Sequence, residues 1–198
     1  GTAALRHVLQ VENDISSAAQ GLRSEKVSFK TEFPNTPFGN AAKAAAQIVA
    51  GQRGKGGVPV MRLSLGSFDT HQNQLGTHAN LLKQLAAGLA ALQAALQEIG
   101  AWDRTLVATY SEFGRRAKQN QSNGTDHGTS APHFVLGGAV RGGWHGAMSD
   151  LQRLDANQNL IHTTDFRSLL AGIAQGWWGV NPQAVVRSPV DALSLIRT

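Results

Sequence analysis

Three short segments carry the residues best suited to hold a cation: GSFDTHQNQ (66–74), SEFGRR (111–116) and GTDHG (124–128). In the first, Asp69 and His71 are two residues apart, and in extended backbone side chains at i and i+2 point to the same side. A carboxylate oxygen and an imidazole nitrogen then approach one ion. The bland alternative makes Asp69 the cap of the following helix and His71 a solvated loop residue. In the second segment Glu112 follows a stretch of apolar and small residues. Gly114 allows close backbone approach, and Arg115 offers a planar fork to a phosphate, sulfate or carboxylate. The alternative is a surface ion pair between Glu112 and Arg115 or Arg116, which would contribute little. In the third, adjacent Asp126 and His127 lie between glycines. Neighbouring side chains diverge, so both serve one site only if the loop bends sharply or two ions bind.

His78 and His133 stand close by in sequence. His78 lies four residues before Leu82 and so continues a helical stripe; it is a ligand, an orienting partner or a hydrogen-bonded core histidine. His133 opens the segment after Pro132 as a candidate supporting residue. The metal candidates are therefore Asp69, His71, Glu112, Asp126 and His127. Arg115, His78, His133 and Ser111 are candidates for anion contact or support. The chain has no cysteine, which excludes disulfides and thiolate ligands. Nitrogen and oxygen donors favour Zn, Mn, Mg, Ca or Fe over copper(I) or iron–sulfur.

Elements must bring these segments together. The chain has 198 residues, of which 41% are hydrophobic, enough for one domain with a sizeable core. No apolar run is long enough to cross a membrane as a helix. The net charge is +5, but Lys and Arg are scattered and not interleaved with aromatics, so nucleic-acid binding is not expected. Residues 2–22 read as a helix, 24–39 as a loop, and 40–50 as an alanine-rich helix with Asn40 at its N-cap. VPVMRLSL (58–65) reads as a strand. Leu82, Leu85, Leu89, Leu92, Leu96 and Ile99 form one stripe along a helix from about 77 to 99. Segments 105–110 and 133–140 read as strands, with a polar surface loop from RAKQ to GTDHG between them. A helix capped by Thr163 or Thr164 follows, ending at Gly179. The tail, 180–198, adds a short extended segment. The alternation is α/β in a single domain over 1–198, the first 57 residues being mainly a helical lead-in. In such sheets ligands sit beyond the carboxyl ends of strands.

The segments PNTPFG (34–39), LGSFDTHQNQ, SEFGRR with Asn120, GTDHGTSAPHFVLGGAVRGG (124–143) and TTDFRSLLAGIAQGWWG (163–179) resemble the family of unknown function numbered 1501. That family is placed in the alkaline phosphatase/sulfatase superfamily. The resemblance implies an αβα three-layer sandwich on a mostly parallel sheet, alkaline phosphatase-like, with this chain as a C-terminal part of the full fold. It implies divalent metal ions held by Asp69 and His71 and by Asp126 and His127, with Glu112 where the superfamily often has an Asp–His pair. It implies a phosphate- or sulfate-ester hydrolase with a small anionic ester as substrate, exported through a twin-arginine leader to the periplasm or beyond. The superfamily's Ser, Thr or modified Cys nucleophile has no match upstream of residue 58, and nothing marks Ser111 as activated. A non-catalytic periplasmic binding or assembly domain is the alternative expectation.

Overall fold

A computed structural model describes residues 27–58 and 60–197. The helix expected over 2–22 lies outside them. The chain divides into two compact units. One is the chain up to Leu65 with Lys83–Ala101; the other is Gly66–Leu82 with Trp102 onward.

The first unit is helical. Helix α1 runs Pro37–Gly51, three residues earlier than the alanine run suggests. Thr36 caps it by accepting from the Gly39 N–H, and Pro37 stands at its first position. Proline has no N–H to leave unsatisfied there, and its fixed φ suits a helix start. Asn40 is therefore inside the helix and does not cap it. Helix α2 runs Gln74–Glu98, and its part from Lys83 onward belongs to this unit. Phe38, Ala42, Ala45 and Ala46 of α1 are buried, as are Ala91, Leu92, Ala95 and Leu96 of α2. The Phe38 ring lies where a Cβ on Gly88 would come within 2.5 Å of it, so a glycine at this point of α2 lets the ring seat. Glu98 ends α2 by accepting from the N–H groups of Lys30 and Thr31 and from the Thr31 hydroxyl. The leucine stripe holds at Leu92 and Leu96, but at its start Leu81 is buried while Leu82 is 43% exposed.

Residues 60–65 alternate between exposed and half-buried, as a strand would. Among the described residues they have no ladder partner, so the segment is extended without being a strand.

The second unit carries the strands. A 3₁₀ turn at Trp102–Arg104 leads into β1 (Leu106–Ala108), which pairs antiparallel with β4 (Val135–Gly137). Between them, β2 (Gly114–Gln119) and β3 (Thr125–Gly128) form a second antiparallel pair. The class is mixed α/β, as expected. The mostly parallel sheet is not what the described residues form. The turn at 120–124 is far too short for the crossover that parallel strands need. The polar stretch expected as a surface loop is thus a hairpin, hidden from a hydrophobic-pattern reading because its strands are polar and half of their residues are exposed. Helix α3 (Phe166–Gly176) is capped by Asp165, not by a threonine. The extended tail lies against it: Leu193 N–H donates to the Ser168 carbonyl, and Leu195 is fully buried. The short helix α4 (Pro182–Val186) precedes that tail.

Candidate metal centre

The segment Phe68–Asn73 is stitched to the β2–β3 hairpin. Gln72 bridges to Asn123, Asn73 N–H donates to the Ser122 carbonyl, and Gln74 N–H donates to the Asn123 carbonyl. Ser67 and Asn73, at the two ends of the segment, both sit in left-handed backbone conformations (φ 70° and 45°), which turns the chain on either side of Asp69–Gln72. Asn120 organises the junction. Its Oδ1 accepts from the N–H groups of Ser122 and Gly124, and its Nδ2 donates to the His71 carbonyl at 2.9 Å. Gly124 permits this close approach, because a Cβ there would fall 2.1 Å from the His71 carbonyl carbon. The glycines of GTDHG therefore serve close packing of backbone and not a bend.

This stitching brings Asp69, His71 and His127 together. His71 Nε2 is 3.0 Å from Asp69 Oδ1, His127 Nε2 is 2.7 Å from the same oxygen, and the two Nε2 atoms are 3.1 Å apart. Three donors thus make a nearly equilateral triangle. For ligand bonds of about 2.1 Å, a face of an octahedron has edges of about 3.0 Å and a face of a tetrahedron about 3.4 Å. The observed edges, 2.7–3.1 Å, are short enough for three donors of one ion. The three side chains could hold a metal ion. Asp69 is not a helix cap: α2 begins five residues later, at Gln74. Its pKa is lowered, chiefly by the hydrogen bond from His127, with further help from the charges of His71, His127 and Arg115 and against the cost of desolvation.

The other candidates fall elsewhere. Asp126 and His127 are neighbours on β3, so they point to opposite faces. Asp126 Oδ1 lies 3.8 Å from Nδ1 of His71, the ring nitrogen turned away from the triangle. It is also 3.5 Å from Asn120 Nδ2, and its other oxygen is 4.0 Å from an Arg116 nitrogen. Glu112 is exposed and has no ion-pair partner among the described residues, neither in the triangle nor with Arg115 or Arg116. Ser111 donates to the Phe113 carbonyl at 2.8 Å. Arg115 sits opposite His127 in the hairpin. Its Nη1 donates to the Thr125 carbonyl and its Nη2 to the Phe68 carbonyl, with Nη2 3.6 Å from Asp69 Oδ1. Two of its five N–H groups are therefore committed to backbone, which leaves it a fixed charge more than a free fork. His78 packs edge-on against Phe68 (5.8 Å between centroids), half-buried, as a core histidine would. His133 is also half-buried; desolvation lowers its pKa, and it takes no part in the triangle. A shallow cleft beside the hairpin, lined by His78, Leu82, Asn123 and Thr125 among others, includes none of the triangle residues.

Sequence reasoning gave no role to two contributors. Asn120 sits in a turn-rich stretch where asparagine is common, and only its bond to His71 shows its role. Phe113 stacks on the His127 ring at 3.8 Å and 7°, a contact no spacing rule anticipates.

The family model described as a protein of unknown function (DUF1501) matches residues 3–188. The chain belongs to this family. Every part of the DUF1501 site described above, from Asp69 to His127, falls inside the matched range. No curated protein and no solved structure matches the chain.

Proposed function

We propose that this DUF1501 chain is the metal-binding part of an exported hydrolase of the alkaline phosphatase/sulfatase superfamily, acting on phosphate or sulfate esters. The observation that carries the reading is the Asp69–His71–His127 triangle, whose edges are short enough for three donors of one ion. A divalent ion held there (Zn, Mn, Mg or Ca) would supply Lewis acidity to an ester oxygen. Asp69 would bring the anionic ligand and the two histidines neutral ones. Arg115, fixed by two carbonyls beside Asp69, adds a positive field that favours an anionic substrate. Ser111 is not the nucleophile of this reading, since its hydroxyl donates to the Phe113 carbonyl and no base lies against it among the described residues. The superfamily reading also carries the αβα sandwich, which needs strands beyond the two antiparallel ribbons, and a periplasmic or secreted location.

A second reading, a non-catalytic binding or assembly domain, is favoured by one observation. Trp144, Met148, Leu151, Phe166 and Trp178 of the second unit are all more than half exposed, more apolar surface than a solitary domain usually leaves uncovered.

Turnover separates the two. The full-length protein, loaded with Zn²⁺ or Mn²⁺, is assayed on nitrophenyl phosphate and nitrophenyl sulfate. The hydrolase reading expects release of nitrophenol that falls by more than about 100-fold in Asp69→Ala, since even outer partners of metal ligands are worth about 10–100-fold. Metal-loaded protein without turnover on either ester would favour the second reading. Cell fractionation checks export: the protein in the cytosolic fraction would contradict it.

A further inference from the structure

A second feature bears on how many ions the centre takes, and it rests on the metal reading just given. The Phe113 ring lies parallel to the His127 ring at 3.8 Å, and the Arg115 guanidinium carbon lies 4.9 Å from the Phe113 centroid. Guanidinium, phenyl and imidazole thus form one packed group along a flank of the triangle. The group is held, because Arg115 donates to the carbonyls of Phe68 and Thr125 and its side chain is only 18% exposed. The same guanidinium reaches to 3.6 Å from Asp69 Oδ1, the oxygen at the apex of the triangle.

We infer that this packed group closes one flank of the centre, so that it binds a single divalent ion, with the Arg115 guanidinium in the place a second cation would take. Paired ions in two-metal sites lie about 3.5–4 Å apart. A second ion sharing Asp69 Oδ1 would have to bond an oxygen that already has the fixed Arg115 charge 3.6 Å away. Phe113 offers it no donor atom. Asp126 lies behind His71, against Nδ1 and not Nε2, and so cannot bridge to an ion in the triangle. Among the described residues, Glu112 is not in the group that could hold an ion. Phe113 acts in this arrangement as a positioning residue: its stack fixes the plane of the His127 ring and hence the direction of Nε2.

The test counts ions. Full-length protein is stripped with a chelator, loaded with excess Zn²⁺ or Co²⁺, desalted and analysed for metal per chain. One ion per chain is expected, and two would overturn the inference while leaving the metal reading intact. No retained ion would sink both. Phe113→Leu tests the positioning role separately. Its Co²⁺ Kd should rise about tenfold or more and the visible Co²⁺ absorption bands should shift, while Phe113→Tyr keeps both. A folded Phe113→Leu protein with unchanged Kd and spectrum would show that the stack does not set the ligand.

Discussion

Metal binding should raise the thermal stability of this chain by an amount that can be worked out in advance. Asp69, His71 and His127 have side chains 62%, 47% and 45% exposed, so they hold together little of the metal-free protein. An ion that binds only the folded state stabilises it by about 2.7 kcal/mol at a free concentration of 100 times Kd. For a chain of about 200 residues, each kcal/mol moves the melting temperature by about 2–4 °C. The expected upward shift is therefore about 5–11 °C. In Asp69→Ala with His127→Ala, only one vertex of the triangle remains, and the shift at the same ion concentration should vanish. Because the removed groups are half-exposed, the double variant should melt near the wild-type temperature without metal. The assay is differential scanning fluorimetry with Zn²⁺ and Mn²⁺, repeated with chelator. An undiminished shift in the double variant would refute the reasoning, since the ion would then be held elsewhere.

Other consequences follow from packing and charge. Gly124→Ala places a Cβ 2.1 Å from the His71 carbonyl carbon, so the hairpin must move away from His71; metal affinity should fall at least about tenfold, whereas Gly142→Ala, which meets nothing within 4 Å, should leave it unchanged. Gly88→Ala drives a Cβ into the buried Phe38 ring. Overpacking of about 1–3 kcal/mol, less about 1 kcal/mol of helix propensity, leaves a net loss of about 0–2 kcal/mol in urea denaturation. Combining it with Phe38→Leu should recover part of that loss, and additive losses would refute the assigned contact. Asp165 has its pKa lowered from 3.8 to about 2, first by the hydrogen bond from the Arg167 side chain. A depressed folded-state pKa gives stability that is present above pH 3.8 and lost as pH falls through about 2. The melting temperature of Asp165→Asn should therefore depend less steeply on pH between 4 and 2 than that of the wild type, and equal slopes would discount the pair.

Much of this arrangement was legible from particular residues. The alanine run and the leucine spacing placed α1 and α2 within a few residues, because both depend on local periodicity. The start of α1 was hidden by Pro34 and Pro37, since proline marks both loops and first helical turns. Residues 60–65 show the alternation of a strand, yet a strand exists only with a partner, and pairing is a tertiary fact. The β2–β3 hairpin looks like a loop in sequence because its residues are polar on both faces, which leaves no hydrophobic period to detect. At the site, the i, i+2 spacing of Asp69 and His71 was enough to pair them. His127 joined them through the hairpin, while Asp126, its neighbour, was turned to the other face by the same strand geometry. Glu112 looked equivalent in sequence because it too follows a strand, but the hairpin directs Arg115, not Glu112, toward Asp69.

The ligand set itself is open to direct measurement by X-ray absorption at the metal edge of the Zn²⁺-loaded protein. Coordination by Asp69, His71 and His127 predicts nitrogen and oxygen neighbours at about 2.0–2.1 Å with the outer-shell scattering of two imidazole rings. That scattering should drop to one ring in His127→Ala. A spectrum without imidazole scattering, or one unchanged in His127→Ala, would contradict the triangle as the metal centre.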